Sequence, residues 1–211
     1  MADDTPHATA RQTAAVPPCP QCGADRASRV CCEACGALFE PDACDDFALL
    51  GLPARYDLDA ALLRERYLSL ARVVHPDRLV GADDGQRRLA LRLSAMLNDA
   101  YRTLADPLKR AEYLLTLCGG ETSADDRSVP QDVLTETLLW REEIDEAREA
   151  QDAGALAALR RQIEQRYSAL QDEIAALAAK LPGDEDLRRR LREKLNCVRY
   201  YQRMLEQVQD A

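Results

Sequence analysis

The sequence predicts a mainly α-helical protein with three parts: an N-terminal paired-CxxC metal knuckle, a four-helix domain and a C-terminal antiparallel three-helix bundle. Three observations carry this. Aromatic residues make up only 5% of the 211 residues, while Ala, Leu, Arg and Glu dominate, a composition that favours helices over sheets. After residue 45, apolar positions recur at steps of three and four. Six of the eight cysteines fall between residues 19 and 44, which is metal-ligand rather than disulfide usage.

Length and charge narrow the class of function. A chain of this size can bury a useful core and divide into two domains plus a small appendage. The formal charge of −9 and a pI near 4.9 argue against general nucleic-acid binding, which needs a basic surface, and favour protein partners. No apolar run reaches the roughly 18 to 20 residues of a membrane span. Residues 1–16 have no signal-peptide core and carry two early aspartates, so they read as a disordered leader of a cytoplasmic protein.

The first ordered piece, residues 17–40, repeats one unit. Cys19-Pro-Gln-Cys22-Gly23-Ala24 is followed by Cys32-Glu-Ala-Cys35-Gly36-Ala37. Each CxxC-Gly is a knuckle in which glycine lets the chain turn around a metal, and the shared Gly-Ala selects Cys32 over Cys31. Cys19, Cys22, Cys32 and Cys35 form a four-thiolate set that suits structural zinc, with iron as the less suited occupant. A redox dithiol or a single local disulfide is the alternative. A piece of this length cannot bury enough surface to fold alone, so the metal serves as its core. Cys31 and Cys44 stay unassigned, and Cys118 and Cys197 read as small buried residues.

Residues 45–51 form a short helix capped by aspartate and stopped by Gly51. A second helix starts near Asp57, with Leu63, Tyr67, Leu70 and Val74 on one buried stripe and Arg66 and Arg72 off it. Pro76 ends it by His75. A third helix, from about Gln86 to Leu104, turns Leu89, Leu93, Leu97, Ala100, Tyr101 and Leu104 inward, nearly antiparallel to the second. A fourth, in "DPLKRAEYLLTLCGG", is closed by Gly119 and Gly120. The polar stretch 120–129 reads as a linker between a domain at 45–119 and another at 130–211.

In the C-terminal part the middle helix is plainest: Leu156, Leu159, Ile163, Tyr167, Leu170, Ile174, Leu177 and Leu181 keep helical spacing until Pro182 and Gly183. The helix before it, from about Val133 to Ala147, turns Val133, Thr137, Trp140, Ile144 and Ala147 to one side. Leu138 and Leu139 fall outside that stripe, Leu134 lies at its edge, and Glu142 and Glu146 project on the far side. The last helix has Leu187, Leu191, Leu195, Val198, Tyr201 and Leu205 inward, with Tyr200 roughly opposite. "LRRRLREK" reads as a solvated face. Exposed leucines and a tyrosine with a charged rim form a partner surface; packing of Leu138 and Leu139 on the preceding domain is the alternative.

"VVHPDRL" followed by "NDAYRTLADPLKRAEYLL" resembles a J domain, the module by which co-chaperones engage DnaK-class heat-shock ATPases. With "DDFALLGLPARYDLD" before it and a three-helix bundle opening on "LLWREEIDEA" after it, the chain over about residues 45 to 208 resembles HscB-type co-chaperones of iron-sulfur cluster assembly. The cysteine knuckles resemble the zinc-binding extension of some members, although the gap between them is short here and extra cysteines adjoin them.

The resemblance implies that His75, Pro76 and Asp77 dock on and trigger a chaperone of the HscA/DnaK class without chemistry of their own. A basic face formed by Arg66, Arg72 and Arg78 would meet an acidic patch on that chaperone. It further implies that Leu134, Leu138, Glu142, Glu146 and Tyr200 bind an IscU-type iron-sulfur scaffold. Leu139 departs from the acidic residue seen there in some relatives. An enzyme is not expected, since the region from residue 45 onward lacks a Ser/His/Asp set, a phosphate-cradling glycine loop and a second histidine. A general J protein for unfolded clients and a zinc-ribbon interaction protein remain the alternatives.

Overall fold

The computed structural model describes residues 16–26, 28–41, 44–75 and 83–209. Residues 1–15 of the leader, the expected trigger residues Pro76 and Asp77 and the basic-face residue Arg78 lie outside the described residues. The chain divides into two compact units, and the division falls between Arg110 and Ala111.

In the first unit, residues 30–39 form a small hairpin: the Phe39 amide donates to the Val30 carbonyl at 2.8 Å, and Cys31 bridges Leu38. Helix α1 (Asp46–Leu49) opens on Asp45, whose carboxylate accepts from the Ala48 amide at 2.8 Å. Helix α2 (Ala60–Val74) starts three residues later than Asp57, because the Asp59 carboxylate takes the amides of Ala61 and Leu62 and so fixes the N-terminus. It stops where the proline rule places the end, at His75, whose backbone is extended with ψ 127°.

Helix α3 (Asp84–Ala105) is capped by Asp83 and runs antiparallel to α2. Ser94 donates to the Val74 carbonyl at 3.4 Å, while Tyr67, two turns earlier on α2, bonds Asn98 at 2.7 Å and stacks on Tyr101 at 4.3 Å. Phe47, Leu63, Leu70, Val74, Leu93, Leu97 and Leu104 are buried between these elements. Such side chains contribute about 1.5–3 kcal/mol each on burial. Tyr67 and Leu89, expected inward, are half-buried, and Ala90 is buried instead.

Helix α4 (Pro107–Leu117) is capped by Asp106, which accepts from the amides of Leu108 and Lys109. At its end the Gly120 amide bonds the Leu115 carbonyl at 2.9 Å, and a Cβ on Gly120 would lie 2.3 Å from the Leu115 side chain. The turn itself runs through Gly119 at φ 76°, a conformation that favours glycine.

The second unit holds the rest of α4 with α5 (Gln131–Glu149), α6 (Ala153–Ala178) and α7 (Glu185–Gln209). Each pair among α5, α6 and α7 packs together, as a three-helix bundle requires. The buried stripe of α5 is Thr137, Trp140, Ile144 and Ala147; that of α6 is Leu159, Ile163, Leu170, Ile174, Leu177 and Ala178. Leu181, placed on the α6 stripe by its spacing, lies beyond the end of the helix.

Asn196 of α7, 1% exposed, reaches back to residues 120–129 and donates its amide to the carbonyls of Asp126 and Ser128 at 3.2 and 3.0 Å. One expectation changes here: "LRRRLREK" is not wholly solvated, because Arg192 is 2% exposed and paired with Glu112. A guanidinium next to the core stripe goes inward when a carboxylate and an amide are there to receive it. Among the described residues no helix is long and apolar enough to cross a membrane.

Candidate functional site

The two knuckles have the same backbone. The Gly23 amide donates to the Cys19 carbonyl and the Cys19 amide to the Ala24 carbonyl; Gly36, Cys32 and Ala37 repeat this, with all four bonds at 2.8 Å. Both glycines sit at positive φ, +73° and +78°, a conformation that side chains disfavour. The repeat brings Cys19, Cys22, Cys32 and Cys35 together with all four sulfurs within 4.8 Å of one another. The Cys19–Cys35 and Cys22–Cys32 sulfurs are each 3.7 Å apart. A tetrahedron of 2.3 Å zinc–sulfur bonds has edges of about 3.8 Å, which these two separations match.

Electrostatics make the same point. Burial opposes ionisation of Cys19, yet the amides of Cys22 and Gln21 draw its thiol down to about 6. At Cys22 the Ala24 amide favours the thiolate, but the Cys35 thiol and desolvation push it up to about 12. Four thiolates at this spacing repel one another and need a cation at their centre. Cys31 is fully buried on the hairpin, and desolvation raises its thiol to about 11. It stands outside the cluster, as the Gly-Ala repeat predicts.

The second set of residues lies on α2. His75 is exposed at the helix end, Arg72 is exposed and Arg66 is half-buried. Arg66 and Arg72, six residues apart, diverge by about 120° around the helix, so they flank a broad surface rather than one stripe. At i−4 and i+4 from Leu68, Arg64 and Arg72 lie closer to the line that ends at His75.

The third set lies on α5. Leu138 and Leu139 are 54% and 51% exposed, Leu134 is half-buried, and Glu142 and Glu146 are exposed. Leu134, Leu138, Glu142 and Glu146 follow one another at steps of about 40°, running from the edge of the buried stripe at Leu134 round to its opposite side. Tyr200 on α7 is half-buried.

Behind that face is a network that sequence reading missed. Glu136 accepts from the Tyr201 hydroxyl at 2.8 Å and from Arg166 Nε at 2.8 Å, joining α5, α7 and α6. Tyr201 also meets Trp140 edge-on at 5.7 Å. Burial, then the Glu136 carboxylate, push the Tyr201 phenol well above its ordinary range, so it remains a hydrogen-bond donor. The sequence signal was slight: Glu136 is one more carboxylate on an acidic helix.

Comparison with known proteins agrees with this architecture. Residues 129–209 match the family described as the HSCB C-terminal oligomerisation domain. A co-chaperone protein HscB homolog of Chromobacterium violaceum is 41% identical over 133 residues, covering 63% of this chain and 75% of the relative. Another, of Shewanella halifaxensis, is 35% identical over 168 residues, covering 78% of this chain and 97% of the relative. The crystal structure of the human co-chaperone protein HscB aligns with a TM-score of 0.73 at 28% identity, covering 92% of this chain and 97% of that one. The matches extend over 75% to 97% of the length of these relatives, and the chain belongs to the HscB co-chaperone family.

Proposed function

We propose that this chain is a co-chaperone of iron-sulfur cluster assembly, joining a scaffold on α5 and α7 to a heat-shock ATPase at the end of α2. The observation that carries the reading is the exposure of Leu138 and Leu139, ringed by Glu142 and Glu146, on the helix that buries Trp140 and Ile144 on its other side. Half-exposed leucines among carboxylates offer apolar contact with a charged rim. Leu134, Leu138, Glu142, Glu146 and Tyr200 hold an IscU-type scaffold. His75, Pro76 and Asp77, together with Arg66, Arg72 and Arg78, engage an HscA/DnaK-class chaperone and stimulate ATP hydrolysis. Having both surfaces on one chain raises the local concentration of scaffold at the chaperone. The cysteine cluster holds structural zinc, whose bonds order the N-terminal segment. The chain makes and breaks no bonds itself.

The test is steady-state ATP hydrolysis by the chaperone with scaffold and this protein. His75→Ala or Asp77→Ala abolishes stimulation without affecting scaffold capture, whereas Leu138→Ala with Tyr200→Ala reduces capture. Unchanged stimulation by the His75 and Asp77 variants overturns the trigger assignment.

A further inference from the structure

We propose that the outer face of α3 binds a second copy of this chain, in an antiparallel α3–α3 contact centred on Leu91 and Ala95. At about 100° per residue, Asp84, Arg88, Leu91, Ala95, Asp99 and Arg102 share an arc of about 80° on the side away from the buried stripe. All six are exposed, and Leu91, at 58%, is the most exposed large apolar side chain among the described residues.

The order of these residues is what selects the occupant. From the N-terminal end the face reads acid, base, leucine, alanine, acid, base. Read backwards it is base, acid, alanine, leucine, base, acid, which is its own complement. Two copies related by a two-fold axis near the level of Leu93 set Asp84 against Arg102, Arg88 against Asp99 and Leu91 against Ala95, each contact occurring twice. This is the self-complementarity that an isologous dimer requires. Alanine opposite leucine lets the helices approach closely, and the larger side chain fills the gap left by the smaller.

Within one chain these charges have only weak partners. Asp84 lies 3.8 Å from Arg87, and Asp99 lies 3.6 Å from Arg102, all of them more than half exposed, where ion pairs contribute little. Across the axis the same residues join into alternating-sign clusters on either side of the apolar centre. The two acids and two bases of the face balance, while neighbouring Arg92 is already paired with Glu40. A face with no net sign does not select nucleic acid or a uniformly acidic partner. It spans about 27 Å of helix, so the contact is at the small end of specific interfaces and associates in the micromolar range or weaker.

Sedimentation velocity of the full chain, from about 1 to about 500 µM, reads this out. The expected result is a reversible monomer–dimer equilibrium. Leu91→Arg raises its dissociation constant about tenfold or more, as loss of a central apolar contact does. Arg88→Asp and Asp99→Arg each weaken the dimer, and the double variant restores it. Because these positions are exposed, thermal unfolding serves as the folding control and stays unchanged. A monomer across the whole range, a dimer indifferent to Leu91→Arg, or a double variant that does not recover overturns the proposal.

Discussion

Arg192 of α7, 2% exposed, grips both carboxylate oxygens of Glu112 on α4, at 2.5 and 3.2 Å and eighty residues apart in the chain. Its Nε also donates to Asn196 at 3.0 Å, and Asn196 in turn holds the 126–128 backbone. Removing the carboxylate leaves a buried cation without its counter-charge, whereas removing the cation leaves a carboxylate that water reaches. Glu112→Ala should therefore cost about 3 kcal/mol, and Arg192→Met less. Urea unfolding followed by fluorescence of Trp140, the sole tryptophan, measures both; equal losses would show that the stranded guanidinium does not set the cost.

That pair also marks where the sequence stops being informative. Thr137, Trp140, Ile144 and Ala147 could be placed inward because apolar spacing of three and four needs no knowledge of a partner helix. Arg192 sits one residue after Leu191, at the edge of such a stripe, and its burial depends on a carboxylate from a distant helix. Nothing local distinguishes it from the exposed Arg189 and Arg190 beside it. The cysteine ligands were legible for the opposite reason, since two copies of one short loop carry their own geometry. The Glu136, Arg166 and Tyr201 network is again non-local, and spacing alone does not reveal it.

The α5 surface separates binding from stability. Leu138→Ser and Leu139→Ser, at half-exposed positions, should change unfolding free energy by less than about 0.5 kcal/mol, while Ile144→Ala, at 1% exposure, costs about 2–5 kcal/mol. Retention of the scaffold on immobilised protein, measured beside Trp140-monitored unfolding, checks the contrast. Loss of stability in the two serine variants would place those leucines in a packed interface instead.

Metal binding should follow the cluster and not the cysteine count. Cys32→Ser loses the bound ion on gel filtration and Cys31→Ser keeps it, with one metal per chain in the parent by elemental analysis. Retention in Cys32→Ser would mean that Cys31 can replace it.

Alkaline pH should loosen the second unit first at Cys197. Burial raises that thiol from 9.0 to about 11, so the folded chain holds the proton more tightly than the unfolded one. The associated stability is complete below pH 9 and is lost as pH rises through 11. The phenol of Tyr201, raised by burial and by Glu136 from its ordinary value of 10.0, adds a second loss beginning above that pH. Denaturant midpoints across this range should decline less steeply in Cys197→Ala and in Tyr201→Phe than in the parent; identical slopes would rule these groups out.

Each knuckle contributes one sheltered sulfur and one that meets solvent: Cys19 and Cys32 are buried, Cys22 and Cys35 exposed. An ion held there is walled off on one side only. A competing thiol in solution would reach Cys22 and Cys35 before the other two, so exchange of such an ion would begin at the wet edge. Cys19 and Cys32, sheltered from solvent, would still hold the departing ion, so its release would depend on access as well as on affinity.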